Sequence, residues 1–267
     1  SYLTDKGFNV NHKSYSNYPS SMPSITSTMN MMYLNFLTEG QIGKQVLRIP
    51  EKMIVESTVM QNFKSAGYKI VILHRAFTSM VDSPLSDLEM CKRSKFTDSQ
   101  LLSITIRTSV LGFFLEKWEL QEQRDAALCN FSELPKQHQK FDEPIFVYSH
   151  ILLPHPPYLF SPEGDPVSSA RPQGLEDWDY KEGYIDGVKF ANKKIMQVVD
   201  ELLADPEYSP VIIIQGDHGS QFDFADKPSK ENIEQVMSNF SAYYLPGIEE
   251  NFSDDVITPV NTFRIVF

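Results

Sequence analysis

Short runs of apolar residues alternate along the chain with longer stretches in which apolar residues return at helical spacing. FNV at 8–10, KIVIL at 69–73, PIFVYSH at 144–150, PVIIIQ at 210–215 and SAYYLPG at 241–247 have the length and the β-branched or aromatic content of strands. Residues 1–6 predict a helix closed by Gly7 as its C-cap. Further helices are predicted from about Pro23 through Leu37, over 98–128, and over 180–204, where Ile185, Val188, Ile195, Val199 and Leu202 share one face. Residues 131–142 are polar and read as a connection, so 98–142 is expected to be a helical insertion. Helices alternating with strands predict an α/β fold with a mostly parallel sheet covered on both faces. The continuous run in PVIIIQGDHG is expected to be its central parallel strand, buried on both sides.

Composition narrows the function classes. The formal net charge of −11 argues against a nucleic-acid binder, which would carry a basic face, and an acidic surface repels anionic membranes. No apolar run approaches the ~20 residues of a spanning helix. Cys91 and Cys129 are too few for a disulfide framework or a zinc knuckle; one disulfide or two free thiols both remain open, and with them the redox compartment. Asn130, Asn239 and Asn251 each open an Asn-x-Ser triplet, a glycan acceptor in a secreted protein but also a frequent chance pattern. The chain opens with Ser1-Tyr2-Leu3 inside a helix and closes in the apolar NTFRIVF. Residues 1–267 are therefore expected to be one domain cut at both ends, with a first strand upstream of Ser1.

Ligands of open α/β sheets bind beyond the carboxyl ends of strands. Three polar clusters sit there: SNYPSSMPSITSTMNM after the first strand, His150 and His155 after 145–149, and Asp217-His218-Gly219 after 211–215. A carboxylate beside an imidazole suits a divalent metal of the zinc or manganese type, and Gly216 and Gly219 are expected to permit unusual backbone angles. The competing reading is a plain turn with Asp217 as a helix cap. Its position after a buried strand favours the metal. The Ser-rich segment places hydroxyls at a helix N-terminus, where an anion is held and a nucleophile is activated. Taken alone it reads as an ordinary capped helix. Histidines around a Pro-rich turn suit metal binding or proton donation, against a structural role.

The order of Ser-rich loop, strand-His-x-Pro, then apolar strand-Asp-His-Gly resembles the sulfatase and lipoteichoic-acid-synthase branch of the alkaline phosphatase superfamily. That resemblance implies an alkaline-phosphatase-like three-layer sandwich. It places the nucleophile on Ser21 in Ser21-Met22-Pro23-Ser24-Ile25, with Ser20 as the fallback. It implies metal ligation by Asp217, His218 and Ser21, a leaving-group or substrate role for His155, and substrate contacts for His150 and Ser24. The implied cofactor is a divalent ion (Mn, Zn or Ca). The implied substrate is a small-molecule, lipid or glycan ester of sulfate or phosphate. Relatives often carry an upstream membrane tether with the catalytic domain outside the cytoplasm. Ile25 departs from the pattern, because sulfatases place there an arginine that supports a modified nucleophile. An unmodified Ser21 would instead act as the Ser or Thr of phosphatases and phosphotransferases does. With its acidic first-strand ligand expected upstream, the segment alone is expected to bind metal poorly and to be inactive. A non-catalytic module of the same fold is the alternative.

Overall fold

The structure is a computed structural model that describes residues 1–37, 52–73, 83–92, 106, 108–109, 112–167, 180–222, 228–248 and 258–267. The chain divides into two compact units. Ser1–Ala66, Met80–Leu85 and Leu202–Phe267 form the first; Gly67–Ser79 and Ser86–Glu201 form the second.

In the first unit, helix α1 (Tyr2–Asp5) is turned by Gly7 at φ 89° into strand β1 (Asn9–Asn11). β1 pairs antiparallel with β6 (Ser241–Tyr244), and β6 pairs antiparallel with β5 (Ile212–Gln215). Sharing an antiparallel neighbour, β1 and β5 point the same way. Asn11 and Gln215 both lie opposite Ser241, so the two strands end at one level. This register brings the loop after β1 and the turn after β5 out of the sheet together. Among the described residues β5 thus pairs antiparallel with β6 and shows no parallel partner, unlike the central parallel strand that its composition suggested. Within the described residues it lies at the edge of an antiparallel three-stranded sheet, with Ile212 buried and Val211 53% exposed. A short apolar run does not encode the direction of its partner.

The helix carrying the Ser-rich motif, α2 (Ser21–Asn30), starts after an extended Ser20 and has Pro23 in its first turn, where a missing N–H costs no helical bond. Its buried face is unusually rich in hydroxyls (Ser24, Thr26, Ser27 and Thr28), and they fold back onto the backbone. Thr26 donates to the Met22 carbonyl at 2.7 Å and Thr28 to that of Ser24 at 2.9 Å, so burial leaves these groups satisfied. The helix stops short of the expected Leu37 because Met31 turns left-handed at φ 53°; its carbonyl accepts from Arg264 at 2.6 Å. α2 packs against α3 (Lys52–Val55), α4 (Thr58–Ser65) and a C-terminal helix, Thr262–Val266.

The second unit holds the parallel sheet. β2 (Lys69–Leu73) lies between β3 (Leu88–Met90) and β4 (Ile145–Ser149), all parallel, and buries Ile70, Val71, Ile72 and Leu73. KIVIL is therefore the run that behaves as a central parallel strand. Helix α5 (Gly112–Glu133) continues into a 3-10 helix, Leu134–Lys140, in place of the expected connection; Pro135 fits the first turn of that helix. Residues 98–105 of the expected insertion lie outside the described residues. On α6 (Lys181–Leu202) the buried stripe is Gly183, Gly187, Phe190, Ala191, Val198, Val199 and Leu202, and Ile185 is 50% exposed. The expected face, built from large apolar residues, omits the glycines. Cys91 and Cys129 form a disulfide, with 5.6 Å between their Cα atoms. Helices with a parallel sheet confirm the α/β class.

Candidate active site

Ser21 and the Asp217-His218 pair meet at the shared end of β1 and β5. The Ser21 Oγ lies 3.2 Å from His218 Nε2, and Asp217 Oδ2 lies 3.8 Å from the same nitrogen. The His218 side chain is 6% exposed and that of Asp217 26%. A carbonyl can only accept, so the 2.7 Å contact between His218 Nδ1 and the Gly219 carbonyl places the proton on Nδ1. Nε2 then presents its lone pair toward Ser21 and Asp217. Securing one ring nitrogen on a backbone carbonyl while the other stays basic is the usual support of a metal-binding or proton-accepting histidine.

The loop before Ser21 is pinned at several points. Ser16 N donates to the Met237 carbonyl at 2.6 Å, and Tyr18 Oη accepts from Leu34 N at 2.7 Å. Asn17 Oδ1 accepts from Val260 N at 3.1 Å, and Gln221 Nε2 donates to the Pro19 carbonyl at 2.9 Å. Ser24, one turn after Ser21, is fully buried and donates its hydroxyl to the Asp217 carbonyl at 2.6 Å. It ties α2 to the turn that carries Asp217 and His218. Ile25 is buried, only 8% exposed.

The turn Gly216–Gly219 rests on α7 (Lys230–Met237) and the residues that follow it. Gly216 N donates to the Phe240 carbonyl at 2.8 Å, Asn239 Nδ2 donates to the Gly216 carbonyl at 2.7 Å, and Gly219 N donates to the Val236 carbonyl at 2.7 Å. The glycines do not serve through unusual angles, since neither has a φ in the left-handed region. Gly219 serves through closeness. A Cβ there would lie 2.0 Å from the Gln235 carbonyl oxygen and 2.5 Å from that of Ser238. Asn239 and Gln221 carry no chemical signature in the sequence. Asn239 stands out there only as a glycan triplet, and its amide is committed to Gly216. Asn130 is likewise 1% exposed, bonded to the Ala126 carbonyl and to Ser149 Oγ. Asn251 lies outside the described residues.

His150 and His155 belong to the second unit. His155 Nδ1 contacts the Pro156 carbonyl at 2.5 Å, which leaves Nε2 as its basic nitrogen. Its loop packs against α6, where Gly187 admits Pro154 and Gly183 admits the Tyr158 ring; a Cβ on Gly183 would lie 2.6 Å from that ring. Arg124, buried on α5, donates to the carbonyls of Leu159 at 3.1 Å and Val167 at 3.0 Å. Burial lowers its pKa, with the Asp125 charge opposing. His150 lines a small cavity with Gln123, Asn130 and Leu159.

A carboxylate oxygen, an imidazole nitrogen with its partner nitrogen secured, and a hydroxyl form a donor set that fits a divalent cation. Among the described residues no third His, Cys, Asp or Glu joins them. Nor, among those residues, is any helix long and apolar enough to cross a membrane.

The family model described as Sulfatase matches residues 1–255. Among curated proteins, none matches the sequence. Among solved structures, the chain is similar to a 2-O GAG sulfatase, with 17% identity, a TM-score of 0.54, 94% of this chain and 60% of that one covered. It is similar to the C-terminal periplasmic domain of EcEptC from Escherichia coli, at 13% identity and TM-score 0.54, covering 97% and 69%; that domain has also been solved in complex with Zn. It is similar to the lipoteichoic acid synthase LtaP from Listeria monocytogenes, at 14% identity and TM-score 0.51, covering 97% and 64%. At these identities the likeness shows the fold, and the chain spans about three fifths to two thirds of those structures.

Proposed function

The chain belongs to the sulfatase family, and from that premise we propose that it hydrolyses or transfers a sulfate or phosphate ester with Ser21 as nucleophile. The observation that carries this reading is the 3.2 Å approach of Ser21 Oγ to His218 Nε2. Asp217, His218 and Ser21 would hold a divalent ion such as Mn, Zn or Ca, whose charge would acidify the Ser21 hydroxyl and offset negative charge on the ester.

The chain's own residues supply the rest. Ser21 opens α2, and since Pro23 has no N–H and Ser24 N donates to the Ser20 carbonyl at 3.2 Å, the N–H groups of Ser21 and Met22 are the ones to bind anionic ester oxygens. The Ser21 hydroxyl gives up its proton to water and its oxygen forms a bond to phosphorus or sulfur as the bond to the leaving alcohol breaks, and the leaving oxygen takes a proton. The resulting seryl ester passes to water or to an acceptor alcohol, which returns the hydroxyl to Ser21. For His155 as the proton donor and His150 as a substrate contact, support comes from the family resemblance. For His155 it also comes from the bond that secures the ring through Nδ1 on the Pro156 carbonyl. Ile25, buried where an arginine would assist a modified nucleophile, supports Ser21 reacting as serine.

The substrate class is a small-molecule, lipid or glycan ester. The Cys91–Cys129 disulfide supports an oxidising, extracytoplasmic compartment, in line with the periplasmic domain among the similar structures. The proposal includes a membrane tether beyond residues 1–267. The test is cleavage of an aryl sulfate, an aryl phosphate and a phosphodiester by the intact protein with Mn, Zn or Ca. Metal-stimulated cleavage that disappears in Ser21→Ala is expected. An intact protein that cleaves none of them with any metal contradicts the reading.

A further inference from the structure

We propose that Asn239 is a positioning residue, whose carboxamide fixes the peptide that carries Asp217 and so sets the carboxylate and imidazole in register with Ser21. The inference rests on the proposed ester chemistry and concerns a residue that touches neither ester nor cation.

Four observations converge on it. Asn239 Nδ2 donates to the Gly216 carbonyl at 2.7 Å, and this carbonyl belongs to the peptide that enters Asp217. The orientation of the amide is determined, because a carboxamide oxygen facing that carbonyl would repel it. Gly216 N donates to the neighbouring Phe240 carbonyl at 2.8 Å, so both polar groups of Gly216 are gripped by consecutive residues. At the other end of the turn, Gly219 N reaches the Val236 carbonyl at 2.7 Å, and the backbone contact is too close for any side chain. Asp217 and His218 are thus strung between two anchors. The one at Gly216 has its carbonyl half held by a side chain that mutation can remove.

Asn239 lies outside β6; its backbone N donates to the Ser14 carbonyl at 3.2 Å, and its side-chain donor bonds to this turn alone among the described residues. From the opposite side Ser24 holds the Asp217 carbonyl. The two peptide planes that flank the Asp217 Cα are thus held, one at Gly216 by Asn239 and the other at Asp217 by Ser24, which fixes the backbone from which the carboxylate projects. That is the preorganisation that ligands and catalytic groups require.

The test uses Asn239→Leu, near in volume but without a donor, in the intact protein. Mn and Zn dissociation constants, kcat and KM at saturating metal, and metal-free Tm are measured. Ser57→Ala is the control for general destabilisation, because Ser57 caps α4 through Met60 N and, among the described residues, shares no hydrogen bond with the turn. Asn239→Leu is expected to weaken metal binding by about 10- to 100-fold. At saturating metal kcat should fall while KM holds within about twofold, the signature of lost transition-state geometry. Ser57→Ala should lower Tm with metal affinity unchanged. Metal affinity and kcat equal to wild type in Asn239→Leu would overturn the positioning role and leave the proposed ester chemistry intact. A wild-type protein that binds neither metal would overturn that chemistry itself, and this inference with it.

Discussion

Ser21 and His218, 197 residues apart in the chain, stand with Oγ and Nε2 3.2 Å from one another. The two strands that deliver them end level against Ser241. The Nδ1 bond to the Gly219 carbonyl fixes which nitrogen is basic. His218→Gln removes that nitrogen, and with a residual amide in its place metal affinity is expected to fall at least about 10-fold, as for a lost ligand contact. Isothermal titration of Zn or Mn checks this; an unchanged dissociation constant would remove His218 from the ligand set.

The two glycines flanking Asp217-His218 should respond unequally to a methyl group. Gly219→Ala drives Cβ into the carbonyl oxygens of Gln235 and Ser238, and a loss of about 2–4 kcal/mol is expected. At Gly216 the nearest atom would be 3.5 Å away, an ordinary contact, so Gly216→Ala should cost under about 1 kcal/mol. Urea unfolding of the two variants decides it, and equal losses would mean the turn does not rest on α7 as described.

Acid should weaken the second unit through Glu133. Its pKa lies below the ordinary carboxylate value because Lys136, then Lys140, donate hydrogen bonds to it, at 3.0 and 3.1 Å. A depressed pKa means stability that is present above the unfolded value, near ~4.3, and that is lost as pH falls through the folded value. The contribution is at most about 1 kcal/mol, as for pairs near the surface. In Tm measured from about pH 6 to about pH 3, Glu133→Gln should show a shallower decline than wild type. Parallel curves would mean that the two lysines do not hold the carboxylate in solution.

The disulfide closes a segment of 38 residues between β3 and α5. The chain-entropy argument gives a loss of about 4 kcal/mol for the Cys91→Ser, Cys129→Ser protein. Thiol titration of unreduced protein in denaturant should find no free thiol. Two titrating thiols would show the pair reduced and remove its support for an oxidising compartment.

Much of this site is legible in the sequence because its chemistry is local. An apolar strand, then Asp-His-Gly, and a hydroxyl run opening a helix are both patterns within a few residues, and the strands at 69–73, 145–149 and 212–215 follow from the same periodicities. What escapes it is non-local. The direction of β5 depends on its pairing with β6 across an intervening helix. Ser24 looks like one more motif hydroxyl until the Asp217 carbonyl is placed over it. Ile185 counts as apolar, whereas Gly183 and Gly187, which form the packed face of α6, carry no hydrophobic signal. Asn239 acts through one amide proton on a distant carbonyl, which no spacing announces.

The central claim is that Ser21 forms the covalent ester, and mass spectrometry of the intact protein tests it most directly. The protein is quenched in acid during turnover of an aryl phosphate or sulfate with Mn or Zn, then digested and mapped. A phosphoryl or sulfuryl group on Ser21, absent from Ser21→Ala, is the predicted result. Turnover with the group on Ser20 or another residue, or with Ser21 converted to an aldehyde, would contradict the account.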